Sequence, residues 1–110
     1  MVEYKKDFPS GRWVFRAWDT RKETVDNPLL KSIVSGYTDK GLEAGVVCAS
    51  FHNGQIVAFT LMNTREDYER DMALSIKLEH YEVAYFVRKF WDSRQKEVAD
   101  AEKDTGFLEK

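Results

Sequence analysis

The chain has 110 residues, 43% hydrophobic and 33% charged, with a formal net charge of −2. This composition excludes a disordered chain and fits a single domain over residues 1–110. With 17 basic and 19 acidic residues, it also argues against nucleic-acid binding driven by bulk charge and against an acidic mimic of nucleic acid.

Residues 1–11 contain Lys5, Lys6, Asp7, Pro9, Ser10 and Gly11 and read as a polar lead into a turn, with Tyr4 or Phe8 able to tuck against the body. Met1 to Phe8 has no signal-peptide apolar segment, Cys48 is the single cysteine, and no uncharged run reaches membrane-spanning length. A cytoplasmic protein without a disulfide or membrane contact is therefore expected.

Arg12 to Trp18 reads as a strand. Trp13, Phe15 and Ala17 lie on one face, and Arg12, Val14, Arg16 and Trp18 on the other. The arginines suggest an edge strand. A polar loop follows to Asp26. Asn27-Pro28 then predicts a helix start, with asparagine at the cap and proline at the first helical position, where its missing N–H costs nothing. Leu29, Leu30, Ile33, Val34 and Tyr37 give that helix its apolar stripe. Asp39-Lys40-Gly41 turns the chain.

Gly45 to Met62 is two apolar runs flanking Asn53-Gly54, the pair that best tolerates two successive positive φ values, and it predicts a hairpin. His52 should oppose Gln55, followed by Phe51–Ile56, Ser50–Val57, Ala49–Ala58 and Cys48–Phe59. There is no charge from Val46 to Met62, so both faces of this hairpin require cover.

Asn63–Glu66 is the better capping-box match and Thr64–Asp67 the weaker one. From Arg65 to Lys103 there is no Gly or Pro. Met72, Ile76, Val83, Phe86, Val87, Phe90, Val98 and Ala101 trace a helical stripe. An unbroken helix would be about 60 Å long, too long for the body, so a break near Glu79-His80 or an extension toward a partner is expected. Alternation over Tyr81, Val83, Tyr85 and Val87 leaves a strand as a further option. Phe107-Leu108 forms a small apolar pair near the tail.

The expected fold is α+β: a three-stranded antiparallel sheet (strand, short helix, Asn-Gly hairpin) with long or broken C-terminal helices packed on one face. The second sheet face then lacks cover, and a homodimer or higher closed oligomer is the expected remedy, through that face or through the Met72–Phe90 stripe.

No catalytic set, cofactor fingerprint or metal-ligand set emerges. His52 and His80 are the two histidines, and nothing in the spacing brings them together. Cys48 and His52 are about 13 Å apart along a strand, too far for a dyad, and Cys48 reads as an inert core residue. The paired carboxylates lie in charged helical segments and read as solvated faces.

Three functional readings remain. The first is a non-enzymatic interaction or regulatory protein (an inhibitor or adaptor) acting as an oligomer, with Phe90, Trp91, Arg94, Trp18 and Arg16 as interface candidates; aromatics flanked by arginines are interface anchors, and equally a core edge. The second is a small-ligand-binding domain or small enzyme, whose pocket between sheet and last helix would be lined by His80, Tyr81, Tyr85 and Arg88 with Glu79 or Glu82 as a base. The third, which the charge balance disfavours, is a single-stranded nucleic-acid binding module using Arg12, Trp13, Phe15, Arg16 and Trp18.

Overall fold

The computed structural model describes the backbone of residues 1–106 and the side chains of residues 1–96. Phe107-Leu108 lies outside the described residues. The order is β1 (Val2–Phe8), β2 (Gly11–Asp19), α1 (Pro28–Asp39), β3 (Val46–His52), β4 (Gln55–Leu61), α2 (Arg65–Lys77) and α3 (Tyr81–Gly106). The class is α+β. The sheet has four antiparallel strands in the order β1-β2-β3-β4, not three.

The additional strand is the polar lead. Tyr4 and Phe8 point into the core, while Glu3, Lys5 and Asp7 alternate with them on the exposed side. Lys6 falls on the apolar side, which obscures the period-two pattern. Its ammonium lies over the rings of Phe8 and Tyr85, 5.5 and 4.8 Å from their centroids. Because β1 takes the edge, β2 is an interior strand, and Arg16 pairs across to Glu3 at 2.7 Å.

β3 is buried from Val46 to Phe51 and divides its side chains between two cores. Val46 and Cys48 join Trp13, Phe15 and Ala17 under α3, against Val83, Phe86, Val87, Phe90 and Trp91. Val47, Ala49 and Phe51 join Trp18 under α1, against Leu30, Ile33, Val34 and Tyr37. The expectation of an uncovered face is therefore corrected: α1 covers one face, and α2 with α3 cover the other.

The Asn53-Gly54 turn has φ values of 49° and 86°, as a two-residue hairpin loop requires. The first two expected pairs hold. A bulge then leaves Val57 as an extra residue, and the pairing continues as Ser50–Ala58, Ala49–Phe59, Cys48–Thr60 and Val47–Leu61. The bulge sends Phe59 and Leu61 to the α1 side and Ala58 to the α3 side, reversing the face expected for that half of β4.

Asn27 caps α1 as expected, accepting from the N–H groups of Leu29 and Leu30. At α2 the cap is Thr64, in a reciprocal box with Asp67, rather than Asn63. Asn63 holds the start of the hairpin instead. Its Oδ1 accepts from Val46 N (2.9 Å), and its Nδ2 donates to Ala44 O (3.0 Å). Gly45 passes this clamp at φ 66°, and a Cβ there would collide with the Asn63 amide. The long C-terminal pattern breaks between α2 and α3, where Glu79 takes φ 59° without being glycine.

Asn63→Ala leaves two part-buried backbone groups unpaired and should cost about 2 kcal/mol. Thr64→Ala loses one cap and should cost about 1 kcal/mol. Urea denaturation of the two variants would rank them; equal losses would remove the clamp from this account.

Candidate functional site

Three places gather functional groups: a groove between α2 and α3, a polar knot at the end of the sheet, and a buried carboxylate beside Cys48. The groove has a volume of about 500 Å³. Met72 and Ile76, one turn apart on α2, form one wall. Tyr81, Tyr85 and Lys89 at spacing four, with Ala84, Arg88 and Asp92 on the neighbouring row, form the other. Ile76 and Tyr81 keep 51% and 59% of their surface exposed. The rim is mainly basic: Arg88 and Lys89 face the single acid Asp92, which lies 3.9 Å from the Arg88 guanidinium.

Tyr81, Tyr85 and Arg88, expected to line a pocket, are thus brought together. The groove lies between the two helices, not between sheet and helix. His80 is not in its lining. It sits in the turn, where its N–H donates to Ser75 O and its carbonyl accepts from Ala84 N. Glu82, the suggested base, is elsewhere too: its carboxylate accepts from Ser10 Oγ at 2.6 Å. The i,i+4 rows of Met72–Ile76 and Lys89–Tyr85 were the available signal for the remaining lining, but sequence spacing alone does not set two helices side by side.

In the polar knot, the Trp13 indole N–H donates to Ser10 Oγ (2.9 Å) and the His52 ring stacks on Trp13 at 4.4 Å between centroids. His52 Nε2 lies 2.7 Å from the Ser10 backbone carbonyl. The contact is to the carbonyl and not to the hydroxyl, so His52 is not placed to activate the serine, whose hydroxyl donates to Glu82 instead. The hydrogen bond from Ser10 holds the Glu82 carboxyl below the usual range, against a small opposing effect of burial. The knot fastens the β1–β2 turn to the first turn of α3.

Cys48 is buried, and both burial and the nearby negative charge of Asp71 push its thiol up. It lines a cavity of about 10 Å³ with Phe15, Ser50, Thr60 and Asp71, and no histidine lines that cavity. This is the environment of an inert thiol. Asp71 Oδ2 is buried without a hydrogen-bond partner, and burial raises its pKa, with the Arg70 charge opposing.

The interface candidates divide. Trp18, Phe90 and Trp91 are 2%, 3% and 8% exposed, so the chain spends these rings on its own interior. Trp91 stacks on Tyr68 at 5.1 Å and joins α2 to α3. Arg16 and Arg94 remain partly exposed; Arg16 lies over the Phe51 ring and Arg94 over that of Phe90. Trp13 and Phe15 are likewise in the core, which leaves β2 without open rings on which bases could stack.

No protein-family model matches the sequence, and neither curated proteins nor solved structures give a significant match to it. The functional argument therefore rests on this geometry.

Two predictions follow from these burials. Trp91→Ala should cost about 3–5 kcal/mol of stability; a loss below about 1 kcal/mol in denaturant would show that the ring is dispensable to the core. Asp71 binds its proton more tightly folded than unfolded, so its contribution favours the folded state at low pH and is lost as pH rises above its ordinary value of 3.8. Asp71→Asn should gain stability relative to wild type between about pH 4 and pH 7. A difference that does not change with pH would contradict the desolvated carboxylate.

Proposed function

We propose that the chain is a non-enzymatic interaction protein that docks a partner in the α2–α3 groove. The carrying observation is the distribution of exposed apolar surface. Among the described residues, Ile76, Tyr81 and Tyr85 of the groove lining are exposed large hydrophobics, and they fall within ten consecutive positions around the α2–α3 corner. Such a cluster is expected of an interaction surface, whereas scattered single residues need no explanation.

The groove's chemistry selects the partner. Its floor is apolar and aromatic, and Arg88 and Lys89 outweigh Asp92 on its rim. An amphipathic helix with apolar anchors at i, i+3, i+4 and i+7 and acidic flanks would match both features. An inhibitor or adaptor role is compatible with this mode of binding, since the lining offers neither histidine nor cysteine for covalent chemistry.

A small-ligand reading shares the same site. A volume of about 500 Å³ is within the range of ligand pockets, and Tyr81, Tyr85 and Arg88 offer hydroxyl and guanidinium donors. The groove is open rather than enclosed, which suits a peptide better than a fully enclosed small molecule.

Titration of the protein with a designed acidic amphipathic helical peptide tests the proposal. Ile76→Glu and Arg88→Glu change exposed positions, so stability should move by no more than about 0.5 kcal/mol. Peptide affinity should fall about tenfold or more, with binding weakened by salt. Equal affinity for wild type and both variants, or no peptide binding beside tight binding of small apolar dyes, would reject the peptide reading.

A further inference from the structure

The sheet ends in two open edges, and they differ in kind. β1 carries Glu3, Lys5, Lys6 and Asp7, the charged guard expected of an edge strand. β4 reads Gln-Ile-Val-Ala-Phe-Thr-Leu and carries no charge and no proline.

The backbone of β4 can be assigned residue by residue. Met62 N donates to Val46 O at 2.9 Å, so Met62 directs its polar groups toward β3. By alternation Thr60 also faces β3, while Phe59 and Leu61 direct N–H and C=O outward. Among the described residues no backbone group outside the sheet bonds to them, and Leu61 O receives a 3.4 Å contact from Thr60 Oγ1 alone.

The helix above this edge is also unfinished. Met72 and Ile76 mark the side of α2 that faces α3, and Asp71 marks the side over β3 and β4. At 100° per residue Leu74 lies opposite the mean direction of Met72 and Ile76, and Leu78 lies near the Asp71 direction. These leucines are 51% and 53% exposed on the flank away from α3.

We propose that β4 pairs antiparallel with β4 of a second copy of this chain, making one continuous sheet across a two-fold axis at Thr60. The axis sets Phe59 opposite Leu61 twice, each pair exchanging both hydrogen bonds, with Thr60 opposite Thr60 between them. The bulge at Val57 ends the regular strand on one side, and the axis at Thr60 sets Ala58, the first residue past it, opposite Met62. No like charges meet, because the sequence is uncharged from Val46 to Thr64.

The same operation on β1, centred on Lys5, would oppose lysine to lysine and Glu3 to Asp7. Pairing β1 to β4 would leave a free edge at each end and grow without closing. Self-pairing of β4 closes after two copies and brings the Leu74–Leu78 flanks of both α2 helices toward each other. This contact is separate from the groove and does not depend on the peptide-docking reading.

Sedimentation of the full chain over a concentration series, with amide exchange followed by NMR, tests the proposal. The expected result is a dimer in which the Phe59 and Leu61 amides become protected as concentration rises, while those of Thr60 and Met62 are protected throughout. Leu74→Lys with Leu78→Lys, both at exposed positions, should raise the dimer dissociation constant about tenfold or more. A monomer at every concentration, a series of growing species, or a dimer with fast-exchanging Phe59 and Leu61 amides would overturn the proposal.

Discussion

The fold depends on a strand that has no polar side. From Val46 to Phe51 every residue of β3 is buried, and successive side chains point to opposite faces. Neither face can be left to water, so the chain must supply two apolar layers. α1 supplies one through Leu30 and its neighbours, and α3 supplies the other through Val83, Phe86, Val87 and Phe90. The Asn63 amide fixes where this strand enters the sheet, which makes the polar clamp subordinate to the apolar requirement it serves.

The hairpin turn, the α1 cap and the strand at Trp13 were legible, because each is dictated by residues near in sequence; the break at Glu79-His80 was one of several options, raised by the length of the helical pattern and not by a local signal. Asn53-Gly54 and Asn27-Pro28 are local conformational signals. What could not be read was set by contacts across the chain. β1 was hidden by Lys6, a charge on the apolar side made tolerable by rings from elsewhere, Tyr85 among them. The bulge at Val57 leaves no mark in an uncharged strand, because either register looks apolar. Asn63 lost its expected capping role to Thr64, since Ala44 and Val46 claim its side chain.

The site divides on the same line. Tyr81, Tyr85 and Arg88 share a helix, and their spacing was enough to group them. Their partners Met72 and Ile76 reach them only because α2 folds back beside α3. Phe90 and Trp91, which the sequence presents equally as anchors or core, are claimed by the interior, and the exposed apolar side chains beside them lie on α2 and at the start of α3. That helix buries Ser75 alone among its residues, while Tyr68 ties it to Trp91. An element with so small a share of the core leaves most of its side chains at the surface.

Glu79 gives the corner between these helices a separate significance. It holds a left-handed conformation that a residue with a Cβ adopts at a cost of roughly 1 kcal/mol or more, and it lies where the two walls of the groove meet. The turn that brings α2 beside α3 thus includes a residue that does not line the groove. Groove width and groove chemistry can vary independently: a substitution at this joint would respace the walls while every lining side chain stayed the same.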